Sequence, residues 1–420
     1  MSRIAIIGAG ISGLACAWLL SKRHEVVLFE ANGYPGGHTN TVDATVDGET
    51  HPVDTGFLVY NDRTYPNLVR LFAALGVESA NSEMSFSVRI GDGALEWSGS
   101  NLATVFAQPA NLANPRFLRM LSDLLRFNRE ASRLARDGGP VTGTLGEFLD
   151  ARGYGRELRE LYLIPMAACI WSTPTTRIHR FPLATFLQFC ANHGLLAVSN
   201  RPQWRTVKGG SRQYVAKLLA ALRDVRLGCP VRQVRRHADR VEVAIDHGVE
   251  RFDQVVLATH TDQTLALLER PSVEERTLLR AIAYQANRAV VHHDERLLPR
   301  RRRAWASWNF HAPRPELSEE PVSLTYLINR LQPLPFASPV MVSMNPIEAP
   351  RQDRVLGVFD YHHPVFVEGS DEAKRRVAGM QGRSRTWYCG AWTRYGFHED
   401  GLLSAVNVAR GMGVAIPWSI

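Results

Sequence analysis

With 420 residues, 45% of them hydrophobic, the chain is long enough for two domains and has ample material for buried cores. Lys and Arg number 49 against 41 Asp and Glu, a net charge of +8, but no nucleic-acid motif or long basic tail accompanies the excess, which fits an acidic substrate or an anionic membrane surface better. No apolar run reaches the length of a membrane-spanning helix, so membrane contact is expected to be peripheral. The five scattered cysteines, Cys16, Cys169, Cys190, Cys229 and Cys389, lack a Cys-x-x-Cys spacing and read as reduced core residues of a cytoplasmic protein.

The first thirty residues carry the strongest signal. Arg3–Ile7 is a short apolar run, Gly8-Ala9-Gly10-Ile11-Ser12-Gly13 follows at once, a helical segment runs from Leu14 to about Lys22, and Val26–Phe29 ends at Glu30. Strand, glycine turn, helix, strand and acid in this order are what an ADP-containing dinucleotide needs. Gly8 and Gly10 let the backbone turn tightly and approach a pyrophosphate, and Gly13 lets helix and strand pack closely. The phosphates then meet free N–H groups where Ile11 and Ser12 open the helix. Glu30 suits ribose hydroxyls and disfavours a 2′-phosphate, which argues for FAD or NAD over NADP. Only one such fingerprint is evident, so no additional bound NAD is expected.

Further along, Tyr34-Pro35-Gly36-Gly37-His38-Thr39 and Val53-Asp54-Thr55-Gly56-Phe57 read as turns set against a cofactor. Residues 228–243, Val231 among them, read as two strands joined by a polar turn, and Gln254–Thr259 as a buried strand ending at His260. A last piece, 386–414, holds Gly390 and a helical run from Gly401 to Gly411. Residues 86–204 open with a strand or two and become mainly helical. Residues 266–379 mix a helix near Val273–Ile282 with alternating segments. The expected fold is α/β: a discontinuous Rossmann-like dinucleotide domain from 1–85, 205–265 and 380–420, and an α+β substrate domain from 86–204 and 266–379.

These pieces, in this order, resemble the FAD-dependent amine oxidase and phytoene desaturase superfamily, whose FAD domain is discontinuous in the same manner. That family usually carries Gly-Gly-Arg where this chain has Gly36-Gly37-His38, and an acid where Ala391 follows Gly390. Both departures alter details of FAD contact. The phrases "AACIWSTP" (167–174), "FLQFCANHGLL" (186–196), "AVVHHDERLLPRRRRAWASWNF" (289–310), "LTYLINRLQPL" (324–334) and "RYGFHEDGLLSAV" (394–406) are similar to a bacterial subgroup that includes the methylated fatty-acid desaturases of furan fatty-acid synthesis. The resemblance implies bound FAD, a fatty acyl or phospholipid substrate and a neighbouring lipid methyltransferase.

Desaturation needs a hydride acceptor, a dry pocket and often a base. His398, three residues before Gly401, occupies the place of the family's aromatic beside the flavin. It either accepts a proton there or only packs. Tyr395 lines the same pocket or packs. Glu399 and Asp400 cap a helix and, with Gly401 and Leu402, place the cofactor through their backbone. Thr259 joins Gly390 on the cofactor side. Trp171, Phe186, Phe189, Tyr326 and Phe366 line an acyl tunnel or form ordinary core. The histidines show no spacing that would hold a metal, so none is assigned. Residues 116–137 read as an amphipathic helix with Phe117, Leu118, Leu121, Leu124 and Leu125 in its stripe, either interfacial or packed on its own domain. Arg300–Arg303, beside Trp305 and Trp308, suits an anionic interface or a solvated loop. Two other functions stay open: a flavin amine oxidase, which the basic charge disfavours, and a non-catalytic flavin-binding partner of a methyltransferase.

Overall fold

The computed structural model describes residues 1–137, 141–196, 201–316, 318–366 and 369–418. Its first sheet has five parallel strands in the order Asp224–Arg226, Glu25–Phe29, Arg3–Ile7, Gln254–Leu257 and Thr386–Tyr388. The continuous apolar run Ile4–Ile7 suits a central strand covered on both faces. The Ile11–Leu20 helix, buried at every position but Trp18, lies between this sheet and the His398–Gly411 helix. A helix so enclosed needs no polar face, which is why its sequence shows no amphipathic stripe. Neighbours in this sheet come from three remote parts of the chain.

A three-stranded meander, Val231–Arg236, Val241–Ile245 and Gly248–Phe252, adds one strand to the pair read from the sequence. A second sheet has seven strands in the order Val355–Val365, Ala283–His292, Met341–Met344, Ser323–Leu327, Trp308–Ala312, Phe86–Ile90 and Leu95–Ser98. All its pairs are antiparallel except Trp308–Ala312 with Phe86–Ile90. This parallel pairing ties the early hairpin to the late strands. Helices between 115 and 192 pack together beside it, with Ile164–Trp171 touching both Trp308–Ala312 and Val355–Val365. Among the described residues no helix is long and apolar enough to cross a membrane, and no cluster of His, Cys, Asp and Glu could hold a metal.

Two surface features differ from expectation. The Pro115–Asp137 helix buries Phe117, Met120, Phe127 and Ala131, while Leu118 and Leu125 stay 42% and 60% exposed. At about 100° per residue, positions 117, 120, 124, 127 and 131 share one arc, and Leu118 and Leu125 fall on the far side. Within the arginine run, Arg300 pairs with Asp92, Arg301 with the fully buried Glu96 at 2.9 Å, and Arg302 with Glu295 at 3.1 Å. Trp305 donates its indole N–H to the Pro299 carbonyl, and Trp308 sits in a strand with its ring edge-on to Tyr326. Only Arg303 of the four has no ionic partner among the described residues.

Candidate cofactor and active site

The glycine turn distinguishes space the protein needs from space it leaves. A Cβ on Gly8, whose φ is +102°, would meet the Ala258 carbonyl at 2.7 Å, and one on Gly13 would meet the Gly8 carbonyl at 1.8 Å. Both glycines are therefore required by the chain's own packing. Around Gly10 no atom lies within 4 Å of a Cβ. That open place, at the start of the Ile11–Leu20 helix, is where unpaired N–H groups favour an anion. Gly36 donates its N–H to the Ala9 carbonyl at 2.8 Å, and Gly37 lies against Gly10, so the second glycine pair closes the same cradle.

Glu30 ends the second strand with its carboxylate accepting from the N–H groups of Ala9 and Asn32 at 2.8 and 2.9 Å. Val231 begins the meander nearby, held there by the Cys229 N–H on the Glu30 carbonyl at 2.9 Å. Thr259, next to Gly8, bonds Thr264, and its carbonyl accepts from the Trp392 indole. Gly390 has the same indole tucked beneath it, leaving no room for a Cβ. At Gly401 a Cβ would come within 2.9 Å of Ile11 and Ser12, so this glycine lets the last helix close onto the first. Two helix N-termini, with Ser12 and Leu402 buried in them, thus converge on one cradle.

His38 replaces a permanent cation with a neutral ring. Burial and the neighbouring imidazoles hold it well below the ordinary histidine range. Its ring lies 5.0 Å from Tyr361, 5.1 Å from His363 and 6.3 Å from His260. Its Nε2 is buried without a hydrogen-bond partner. A buried polar atom left unmatched by protein is what a ligand contact would satisfy. The open place at Gly10, the Glu30 carboxylate and the unmatched His38 nitrogen together fit FAD.

Past the cradle, the His398 ring stacks on Phe57 at 3.7 Å, and its Nε2 lies 2.7 Å from the Tyr214 hydroxyl and 3.1 Å from that of Thr39. The Thr39 and Tyr214 hydroxyls also contact each other. Burial pushes the imidazole down to about 3, so it is neutral in solution near pH 7. Tyr395 has no ring contact with His398; its ring lies 5.4 Å below the Arg394 guanidinium. Glu399 accepts from the Asn67 N–H, the Asn67 side chain and the Leu68 N–H, capping the Pro66–Leu75 helix rather than its own. Asp400 accepts from the N–H groups of Tyr395 and Phe397, and burial raises it to about 6. Both carboxylates are engaged by peptide groups.

An aromatic belt adjoins this turn. Phe189 stacks on Phe397 at 4.9 Å and on His193 at 3.9 Å, and Trp171 lies 4.8 Å from Phe189 and 6.5 Å from Phe397. Phe366 approaches Gly396 from the other side, beneath the Lys374 ammonium. Trp171, Phe189 and Phe366 are thus brought together around Gly396–Phe397. Phe186 is fully buried against Phe127, and Tyr326 sits behind the Ile164–Trp171 helix near Cys169 and Trp308. Tyr214 escaped the sequence reading because one apolar position in a helix carries no sign of its hydroxyl partners. Phe397 could have been found, since it directly precedes His398.

The model of a family described as flavin containing amine oxidoreductase matches residues 11–326. A Mycobacterium tuberculosis protein named as a flavin-containing monoamine oxidase, AofH, is 28% identical over 272 residues, which span 61% of this chain and 56% of that protein. The chain thus spans about half the length of that relative. The zeta-carotene desaturase of Synechocystis is 38% identical over 77 residues, 18% of this chain and 15% of that one. Among solved structures, a fatty acid isomerase from P. acnes superposes with a TM-score of 0.68 at 14% identity, covering 97% of this chain and 98% of the other. Putrescine oxidase bound to putrescine gives 0.69 at 17% identity, covering 99% of each chain. At these identities the structures establish a shared fold.

Proposed function

We propose that this chain, which belongs to the flavin containing amine oxidoreductase family and is an FAD-dependent oxidoreductase, introduces a double bond into a methyl-branched acyl chain carried on a phospholipid. The observation that carries the substrate class is the belt of Trp171, Phe189 and Phe397 leading to His398, beside carboxylates already taken up by backbone N–H groups. An apolar chain loses nothing by lying along such a wall, whereas a cationic amine finds no free carboxylate in the turn. Two of the similar proteins are by name a carotene desaturase and a fatty acid isomerase.

FAD, when bound, supplies the hydride acceptor. The aromatic belt holds the acyl chain and excludes water. His398, with its Nε2–H donating to Tyr214, takes the second proton at Nδ1, and the electron pair left behind becomes the double bond. An imidazole so reluctant to be charged holds that proton only in passing, and the Tyr214 and Thr39 hydroxyls offer the way out. A methyl-transfer reaction on lipid would supply the branched chain, and the reading has the protein work at the cytoplasmic face of the membrane, next to such an enzyme.

Anaerobic titration of the purified holoprotein tests the reading. A methylated, unsaturated phospholipid is expected to bleach the oxidised flavin absorbance and to emerge two hydrogens lighter by mass spectrometry. Bleaching by simple primary amines and not by any such lipid would replace it with amine oxidation.

A further inference from the structure

The outward face of the Pro115–Asp137 helix carries a pattern that its role in packing does not explain. Leu118, Ser122, Leu125, Arg129, Arg133 and Arg136 fall on one stripe opposite the buried Met120 and Phe127. Leu118 and Leu125 are exposed there, and Leu112, 60% exposed, belongs to the Pro109–Ala113 turn packed on the same helix. Single exposed leucines are ordinary, but Leu118 and Leu125 stand two turns apart on one stripe whose following turns carry arginines. Arg129 and Arg136 stand exposed on the same stripe without ionic partners among the described residues.

We propose that this face seats the protein on an anionic phospholipid surface, the leucines entering below the headgroups and the arginines lying among the phosphates. Both halves of the pattern call for that occupant. Cations unpaired within the protein match a negative surface, and leucines next to them on the stripe gain by leaving water. A second copy of this chain would set like-charged arginines against one another. From its buried side the same helix is joined to the active site by a run of rings: Phe127 is 6.4 Å from Phe186, Phe186 is 6.3 Å from Trp171, and Trp171 is 6.5 Å from Phe397. The inference rests on the lipid reading for its purpose, and it is tested by binding alone.

Flotation of the holoprotein with phosphatidylcholine vesicles, with and without phosphatidylglycerol, measures the contact. Wild-type protein is expected to float with the anionic vesicles and to be released by salt. Leu118→Gln with Leu125→Gln, and separately Arg129→Gln with Arg136→Gln, should each lower partitioning on the order of tenfold or more while keeping flavin and melting temperature. Val249→Gln, an exposed position on the meander, serves as the control and should change nothing. Absence of wild-type flotation, equal binding to neutral vesicles, unchanged binding of both double variants, or loss of a dimer on gel filtration in their place would overturn the proposal. Failure of the substrate reading would leave flotation intact. Failure of this one would leave flavin reduction by detergent-dispersed lipid intact.

Discussion

His398 and Asp400 are two residues apart and respond to burial in opposite ways. The imidazole stays uncharged down to about 3, so no acid limb near the usual histidine value is expected from it. His398→Ala should keep FAD and fold but lose turnover on the order of 10²-fold or more, the cost of removing a positioned base. His398→Phe keeps the stack on Phe57 and separates the roles, because restored activity would leave the ring with packing alone. Asp400 is raised to about 6, above its unfolded value. Its contribution to stability is therefore fully present below about 4 and is lost as pH rises through 6. Asp400→Asn, whose amide oxygen still accepts from Tyr395 and Phe397, should stabilise the protein by roughly 2 kcal/mol at pH 8 and by little near pH 4. Urea unfolding at the two pH values measures this. Equal effects at both would mean that burial does not perturb the carboxyl.

At the level of elements, the glycine turn separates folding from binding. Gly10 has an extended backbone, φ −72° and ψ −178°, and nothing near its missing Cβ, so Gly10→Ala should fold normally and lose flavin. Gly13→Ala has no such space and should fail to fold. Flavin content and circular dichroism distinguish the outcomes, and a yellow Gly10→Ala protein would move the diphosphate elsewhere. This turn was legible in the sequence because its function requires particular residues at fixed spacing in one continuous stretch. So were the strand ending at Glu30, the strand at Gln254 and the closing helix, each marked by an apolar run and its punctuation. The Pro115–Asp137 helix was legible as an element but not in its facing, since eight large apolar residues and six arginines allow more than one arc. Within the site, Phe57 and Thr39 lay in turns already suspected. Tyr214, Tyr361 and the ring of histidines around His38 depend on contacts between segments far apart in the chain, and no local pattern records them.

At the scale of the whole molecule, the expectation is FAD bound without a covalent link and adding to the stability of the fold. FAD is expected in the supernatant after acid precipitation, for Cys16, Cys169, Cys190 and Cys389 are buried free thiols and Cys229 lies on the adenosine side. Removing it should lower the melting temperature, because a ligand at a thousandfold excess over its Kd stabilises the native state by about 4 kcal/mol. Flavin that stays with the pellet, or an unchanged transition, would contradict this. The first sheet has a further consequence, for the making of the protein. Its central strand, Arg3–Ile7, is made about 250 residues before its partner on one side, Gln254–Leu257, and Thr386–Tyr388 comes later still. Until residue 257 is made, that strand has an apolar edge and no neighbour to cover it. A chain stopped before Thr386 would lack both the fifth strand and the His398–Gly411 helix that closes the cradle, and is expected not to retain flavin.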